Sequence, residues 1–113
     1  MCSLAELQNI INSVVKAYRD VFGSEMTEVL LYGSYARGDY EADSDIDLVA
    51  IVHGERKALQ EKLKLIWDVS ADLELEHGII ISPTVIPYDE YMKYKEDIPY
   101  YKNISLEGVK ISV

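Results

Sequence analysis

Two carboxylates and a glycine–serine corner carry the chemistry that can be read from this chain. Asp45 and Asp47 stand two residues apart at the mouth of an apolar run, Leu48-Val49-Ala50-Ile51-Val52. In an extended strand that spacing sends both side chains to one face. Two acids on one face repel each other unless a cation or a proton sits between them. Oxygen-only ligands of this kind suit Mg²⁺ or Mn²⁺, which in paired sites bridge the attacking and leaving oxygens of a phosphoryl or nucleotidyl transfer. Eleven residues upstream of Ser44, Gly33 and Ser34 follow a second apolar run, Val29-Leu30-Leu31-Tyr32. Glycine after a strand allows a sharp bend and a close ligand approach. A short helix opening at Ser34 or Tyr35 would aim N–H groups at an anion above the bend, with the Ser34 hydroxyl as a further donor. Arg37 adds a positive charge one turn on, and Ser44 is placed to cap or brace the turn before Asp45.

Taken singly, these features are ordinary. Gly-Ser is a common strand–helix turn, and an isolated Asp-x-Asp is a common solvated loop. Asp43-Ser44-Asp45-Ile46-Asp47 also opens like a calcium loop. That pattern then fails, because its sixth position is Leu48 rather than Gly and its twelfth is Gly54 rather than Glu.

The combination is more specific. Strand, Gly33-Ser34, a spacer with Arg37-Gly38, then Ser44-Asp45-Ile46-Asp47-Leu48 and a second strand resembles the signature of the polymerase-beta-type nucleotidyltransferase superfamily, and within it the minimal nucleotidyltransferases. Motif and spacing cover residues 29 to 52, and the order of elements extends the likeness over most of the chain. The resemblance implies that Gly33 and Ser34, with Arg37 and Ser44 beside them, hold the phosphates of a nucleoside triphosphate such as ATP. It implies that Asp45 and Asp47 are the catalytic acids and hold Mg²⁺ or Mn²⁺. Active members of the family usually carry a third carboxylate on the strand after the long helix. Here that run, Ile79 to Ile86, offers Ser82 and Thr84 but no acid; the nearest are Glu74, Glu76, Asp89 and Glu90. A hydroxyl is a poor base and a poor Mg²⁺ ligand.

The elements that must position these groups can also be read. At 113 residues the chain is expected to form one domain that buries roughly two-thirds of its unfolded surface. Leu4, Leu7, Ile10, Ile11, Val14, Tyr18 and Val21 recur at helical spacing after a Ser3/Glu6 capping box, and Gly23 closes that helix. Strands follow at about 27–32 and up to Val52. A second long helix is expected over about 55–75, with Leu59, Leu63, Ile66, Trp67, Ser70 and Leu73 facing the core. His53 and His77 read as turn residues, since neither has a second His or Cys at zinc-ligand spacing. Pro83 has no N–H for a ladder and should face an edge or a bulge. Tyr88, Tyr91 and Tyr94 line one side of a short helix, Pro99 opens another, and residues 109–111 form a terminal strand. The tyrosines either pack over the sheet or form a protein-binding surface. The expected fold is a small α/β (α+β) domain with a mixed sheet and helices mainly on one face.

Composition bounds the partners. The chain is 49% hydrophobic and 27% charged, with formal net charge −9. Such a surface repels a nucleic-acid backbone and favours a small nucleotide with a protein or small-molecule acceptor. No apolar run reaches the ~20 residues that span a membrane. The N-terminal stretch lacks the pattern of a secretory signal, and the lone Cys2 forms no internal disulfide, so a cytoplasmic setting is expected. Little chain remains beyond the shared core to build an acceptor-binding domain. The resemblance therefore points to a partner that presents the acceptor, as in two-gene modules whose toxin is a helical HEPN protein and whose antitoxin is a minimal nucleotidyltransferase. A partner-blocking or nucleotide-sensing subunit of the same fold and an aminoglycoside-type transferase are the competing readings. The oligomeric state, self-association included, stays open.

Overall fold

The structure, a computed structural model, describes residues 3–41 and 44–111. Cys2 and Asp43 lie outside the described residues. Helix α1 (Leu4–Phe22) leads through a short 3-10 turn to β1 (Met26–Tyr32), a single-turn helix α2 (Ser34–Arg37) and β2 (Ile46–Val52). Helix α3 (Arg56–His77) then crosses to β3 (Ile81–Pro87). Helices α4 (Tyr88–Tyr94) and α5 (Pro99–Glu107) and strand β4 (Val109–Ile111) complete the chain. The strands form one mixed sheet in the order β3-β2-β1-β4. β1 runs antiparallel to both β2 and β4, whereas β2 and β3 are parallel.

Alternation along the strands divides the sheet into two faces. Ile46, Leu48, Ala50 and Val52 of β2 join Val29 and Leu31 of β1 and Ile81 and Val85 of β3 under α1 and α3. This face holds most of the core, including Ile10, Ile11, Val14, Leu59, Leu63 and Ile66. The other face carries Leu30, Val49, Ile51 and Ile86, covered by Tyr91 of α4 and by Tyr101 and Ile104 of α5. The two long helices thus share one face, as expected, and the short ones close a smaller cluster on the other. Of the tyrosines, Tyr91 and Tyr101 pack over the sheet, while Tyr94 and Tyr100 stay exposed.

Local signals explain the ends. Ser3 Oγ accepts the Glu6 N–H at 3.1 Å and caps α1, and Gly23 closes it at φ +58°. Gly78 ends α3 in the left-handed region at φ +67°. Pro83 lies on β3, an outer strand of the sheet, and its carbonyl accepts the Trp67 indole N–H at 3.2 Å. The Tyr18 hydroxyl reaches from α1 between the parallel strands. It accepts the Thr84 N–H at 3.0 Å and lies 2.9 Å from Thr84 O and 3.2 Å from Leu48 O.

Three expectations are corrected. Trp67 is not a core residue: it is 48% exposed, because the indole leans over the sheet edge to reach Pro83. Leu4, expected on the apolar stripe of α1, is exposed: the buried face of the helix begins at Ile10, with only Leu7 packed against the core before it. His77 is not a turn residue but the last residue of α3, and its Nδ1 lies 2.7 Å from Glu6 Oε2, tying the end of α3 to the start of α1.

Candidate functional site

The site lies where β1 ends and β2 begins. Antiparallel pairing sets Tyr32 opposite Asp47, so the last residue of β1 and the second acid are cross-strand neighbours. Parallel pairing sets Ser82 of β3 opposite Asp47 on the other side. Asp47 alternates with the inward residues Leu48 and Ala50. It therefore belongs to the face covered by α4 and α5, together with Val49 and Ile51.

Gly33 turns the chain out of β1 at φ +79°, ψ −154°, a conformation that residues with a side chain avoid. It also lies against the acid: a Cβ built on Gly33 would stand 2.6 Å from Asp47 Oδ2. Bend and carboxylate are thus in direct contact. Ser34 opens α2, and the Gly33 carbonyl takes the N–H groups of Ala36 and Arg37, both at 3.1 Å. Gly38 ends the turn at φ +83°, its N–H donating to Ser34 O at 2.9 Å. Buried Tyr35 stacks on Tyr40 with ring centroids 4.4 Å apart and planes 7° apart, which closes the loop that follows.

Asp45 lies immediately before β2 and close enough to act on Asp47. Burial, and then the Asp45 charge, push the Asp47 carboxyl above the usual carboxylate range; Arg37 pulls in the opposite direction. The pair therefore has the two properties that call for a cation, mutual repulsion and restricted access to water. Arg37 is exposed, with Nε 3.3 Å from Asp39 Oδ2 and a terminal nitrogen 3.9 Å from Glu107 Oε2. Ser44 braces the loop: its hydroxyl accepts the Glu41 N–H at 2.8 Å, and its own N–H donates to Glu41 O at 3.1 Å.

No third acid joins the pair among the described residues, where no group of three metal-ligating side chains occurs. Glu74 accepts the Ile81 N–H at 2.8 Å, and Glu90 pairs with Arg56 and accepts the Tyr101 hydroxyl proton at 2.6 Å. Both are committed elsewhere. What stands on β3 beside the pair is hydroxyl: Ser82 and Thr84.

Sequence reasoning missed the aromatic wall of the site. Tyr32 and Tyr100 meet edge to face, with ring centroids 6.2 Å apart and planes at 86°. Tyr32 was findable, because a hairpin register drawn from Gly33 to Asp47 sets it opposite the acid. Tyr100 had no local signal, since it reaches the site from α5. A separate hollow of about 580 Å³ opens on the same face toward the other end of β1, lined by Thr27, Leu30, Ile51, Tyr91 and Ile104 among others. It is remote from the acid pair in the sheet and holds none of the site residues.

The family model described as "Nucleotidyltransferase domain" matches residues 11–111. The chain belongs to the nucleotidyltransferase family. It is a nucleotidyltransferase by that membership, and the matched span contains the bend, the acid pair and the sheet that holds them. A Methanocaldococcus jannaschii protein provisionally named a protein adenylyltransferase is 36% identical over 80 residues, which is 71% of this chain and 79% of that protein. The protein adenylyltransferase MntA of Thermococcus cleftensis is 37% identical over 49 residues, 43% of this chain and 48% of that protein. Among solved structures, a toxin–antitoxin crystal structure with AMP-PNP aligns with TM-score 0.53 at 16% identity, covering 88% of this chain and 69% of that one. That likeness shows the nucleotidyltransferase fold.

Proposed function

We propose that this nucleotidyltransferase moves a nucleoside monophosphate from a nucleoside triphosphate, ATP above others, to a hydroxyl of a protein acceptor. The observation that carries the reading is the contact between Gly33 and the Asp47 carboxylate, which sets the bend directly beside an acid pair. Gly33 and Ser34 hold the triphosphate tail, with Arg37 and Ser44 at the rim. Asp45 and Asp47 supply oxygen ligands that fit Mg²⁺ or Mn²⁺. A divalent cation bound there would neutralise the crowded carboxylates and stabilise negative charge on the phosphate oxygens. The protein's own contribution is placement. Gly33 admits the phosphates against the backbone, Asp47 fixes their position relative to the sheet, and the β3 side of Asp47 is left to the incoming hydroxyl. Because β3 offers hydroxyls where a base would stand, proton removal from the acceptor falls to water or to the acceptor's own surroundings.

ATP as donor and a protein as acceptor are supported by the adenylyltransferase names of the relatives and by the nucleotide analogue in the toxin–antitoxin neighbour. The partner we propose is a small helical HEPN-type toxin, with this chain as its antitoxin; the cytoplasm, where the triphosphate pool lies, is the setting this chemistry calls for. None of the described helices is long and apolar enough to cross a membrane. The test is to co-purify the chain with the protein encoded beside it and add α-labelled ATP with Mg²⁺. Label on the partner that is lost in both Asp45→Asn and Asp47→Asn supports the reading; label that persists in those variants, or its absence from every protein present, refutes it.

A further inference from the structure

The aromatic wall beside Asp47 ends in an accessible tyrosine of the chain's own. Tyr100 meets Tyr32 of β1 edge to face, with ring centroids 6.2 Å apart. Tyr32 is the cross-strand neighbour of Asp47, so the Tyr100 ring stands at the acid's end of the sheet. The bend at Gly33 lies against the carboxylate of the same Asp47 that pairs across the strands with Tyr32, so bend, acid and the Tyr32–Tyr100 pair are gathered at one end of the sheet.

Tyr100 is also held there while staying accessible. It is 43% exposed. Pro99 fixes the start of α5. The next residue, Tyr101, is buried and anchored, donating its hydroxyl proton to Glu90 at 2.6 Å and accepting from Arg56 at 3.0 Å.

We propose that Tyr100 is an internal acceptor, and that without a partner the site transfers a nucleotidyl group to this chain's own Tyr100. The inference rests on the function proposed above. In the step, the Tyr100 phenolic oxygen bonds to the α-phosphorus of a nucleoside triphosphate bound with a divalent cation. The bond from the α-phosphorus to the bridging oxygen breaks, pyrophosphate leaves with that electron pair, and the phenolic proton passes to water. The product is a tyrosyl phosphodiester lying across the acceptor path, so self-modification and transfer to a partner exclude each other at one site.

The test uses the full chain with ATP and Mg²⁺ or Mn²⁺, read by intact mass and by peptide fragmentation. The expected result is a mass gain of one nucleotidyl group mapped to Tyr100, lost in Tyr100→Phe and kept in Tyr94→Phe. A second readout needs no turnover: a non-hydrolysable ATP analogue with Mg²⁺ should slow nitration of Tyr100 by tetranitromethane and leave Tyr94 unaffected. N-acetyl-tyrosinamide, added as a free acceptor, separates the two ways of failing. If it is modified while Tyr100 stays bare, the inference falls and the proposed function stands. If equilibrium dialysis shows no nucleotide binding and nothing is modified, both fall. Label on another residue, or binding without any transfer, also overturns the inference.

Discussion

Gly33 and Asp47 touch: a methyl group on Gly33 would lie 2.6 Å from the carboxylate oxygen. Two demands therefore meet at Gly33, a positive φ of 79° and the absence of a side chain. Gly33→Ala should strain the backbone by roughly 1–3 kcal/mol. It should also push the Asp47 carboxylate aside. Loss of nucleotidyl transfer should exceed what the loss of folded protein explains. Parallel measurement of transfer rate and denaturant midpoint checks this; a variant that folds and transfers normally would show that the contact has no functional weight.

Asp47 sits where burial and Asp45 together disfavour its charged form. A divalent cation must compete with a proton for that carboxylate. Mn²⁺ binding in the presence of ATP, followed by electron paramagnetic resonance, should therefore weaken as pH falls at a pH above the ordinary carboxylate range. Asp47→Asn should lower transfer by about 10²-fold or more, equivalent to several kcal/mol of lost charge stabilisation. Chelation of the metal should reproduce that loss in the unmutated protein, and re-addition should reverse it.

The Tyr18 hydroxyl joins Thr84 of β3 to Leu48 of β2 from inside the core, and burial holds its ionisation far above the ordinary phenol range. Tyr18→Phe keeps the ring and removes the bridge, leaving the Thr84 N–H without that partner. Stability should fall by about 1–3 kcal/mol in urea unfolding with an unchanged slope. Because Thr84 also faces the site, transfer by the folded fraction is the informative second measurement, and it should fall less than when Asp47 is replaced.

Arg56, Glu90 and Tyr101 join α3, α4 and α5. The hydrogen bond from Arg56, then that from Tyr101, hold the Glu90 carboxyl below its usual value of 4.5. A depressed carboxyl contributes stability that is present above its unfolded value and is lost as pH falls through the folded one. The difference in melting temperature between the unmutated protein and Glu90→Gln should thus be constant near neutrality and shrink below pH 4.5. A difference that grows on acidification would contradict this assignment. As a partly exposed pair, its whole contribution should stay near or below about 1 kcal/mol.

The bend, both acids, the sheet strands and the long helices were legible because each rests on short-range rules. Gly33 and Gly38 mark turns, Val-rich runs mark strands, and Ile10, Val14 and Tyr18 recur at helical spacing. Trp67 defeated the same reasoning: periodicity assigns a side to a residue but cannot say where the sheet beneath it stops. Tyr100 was out of reach for a different reason. Its neighbours Tyr32 and Thr84 are 68 and 16 residues away along the chain, and only the packing of α5 on the sheet brings them together. The absence of an acid on β3 was visible from residue types alone, and the structure adds that Glu74 and Glu90 are bound elsewhere.

The indole of Trp67 laid over Pro83 has a meaning beyond local packing. An outermost strand is an open invitation to another chain seeking a ladder. Here one rung lacks a donor by its chemistry and has its acceptor capped by a ring from α3. A ladder built on that flank by another copy would be interrupted at this rung.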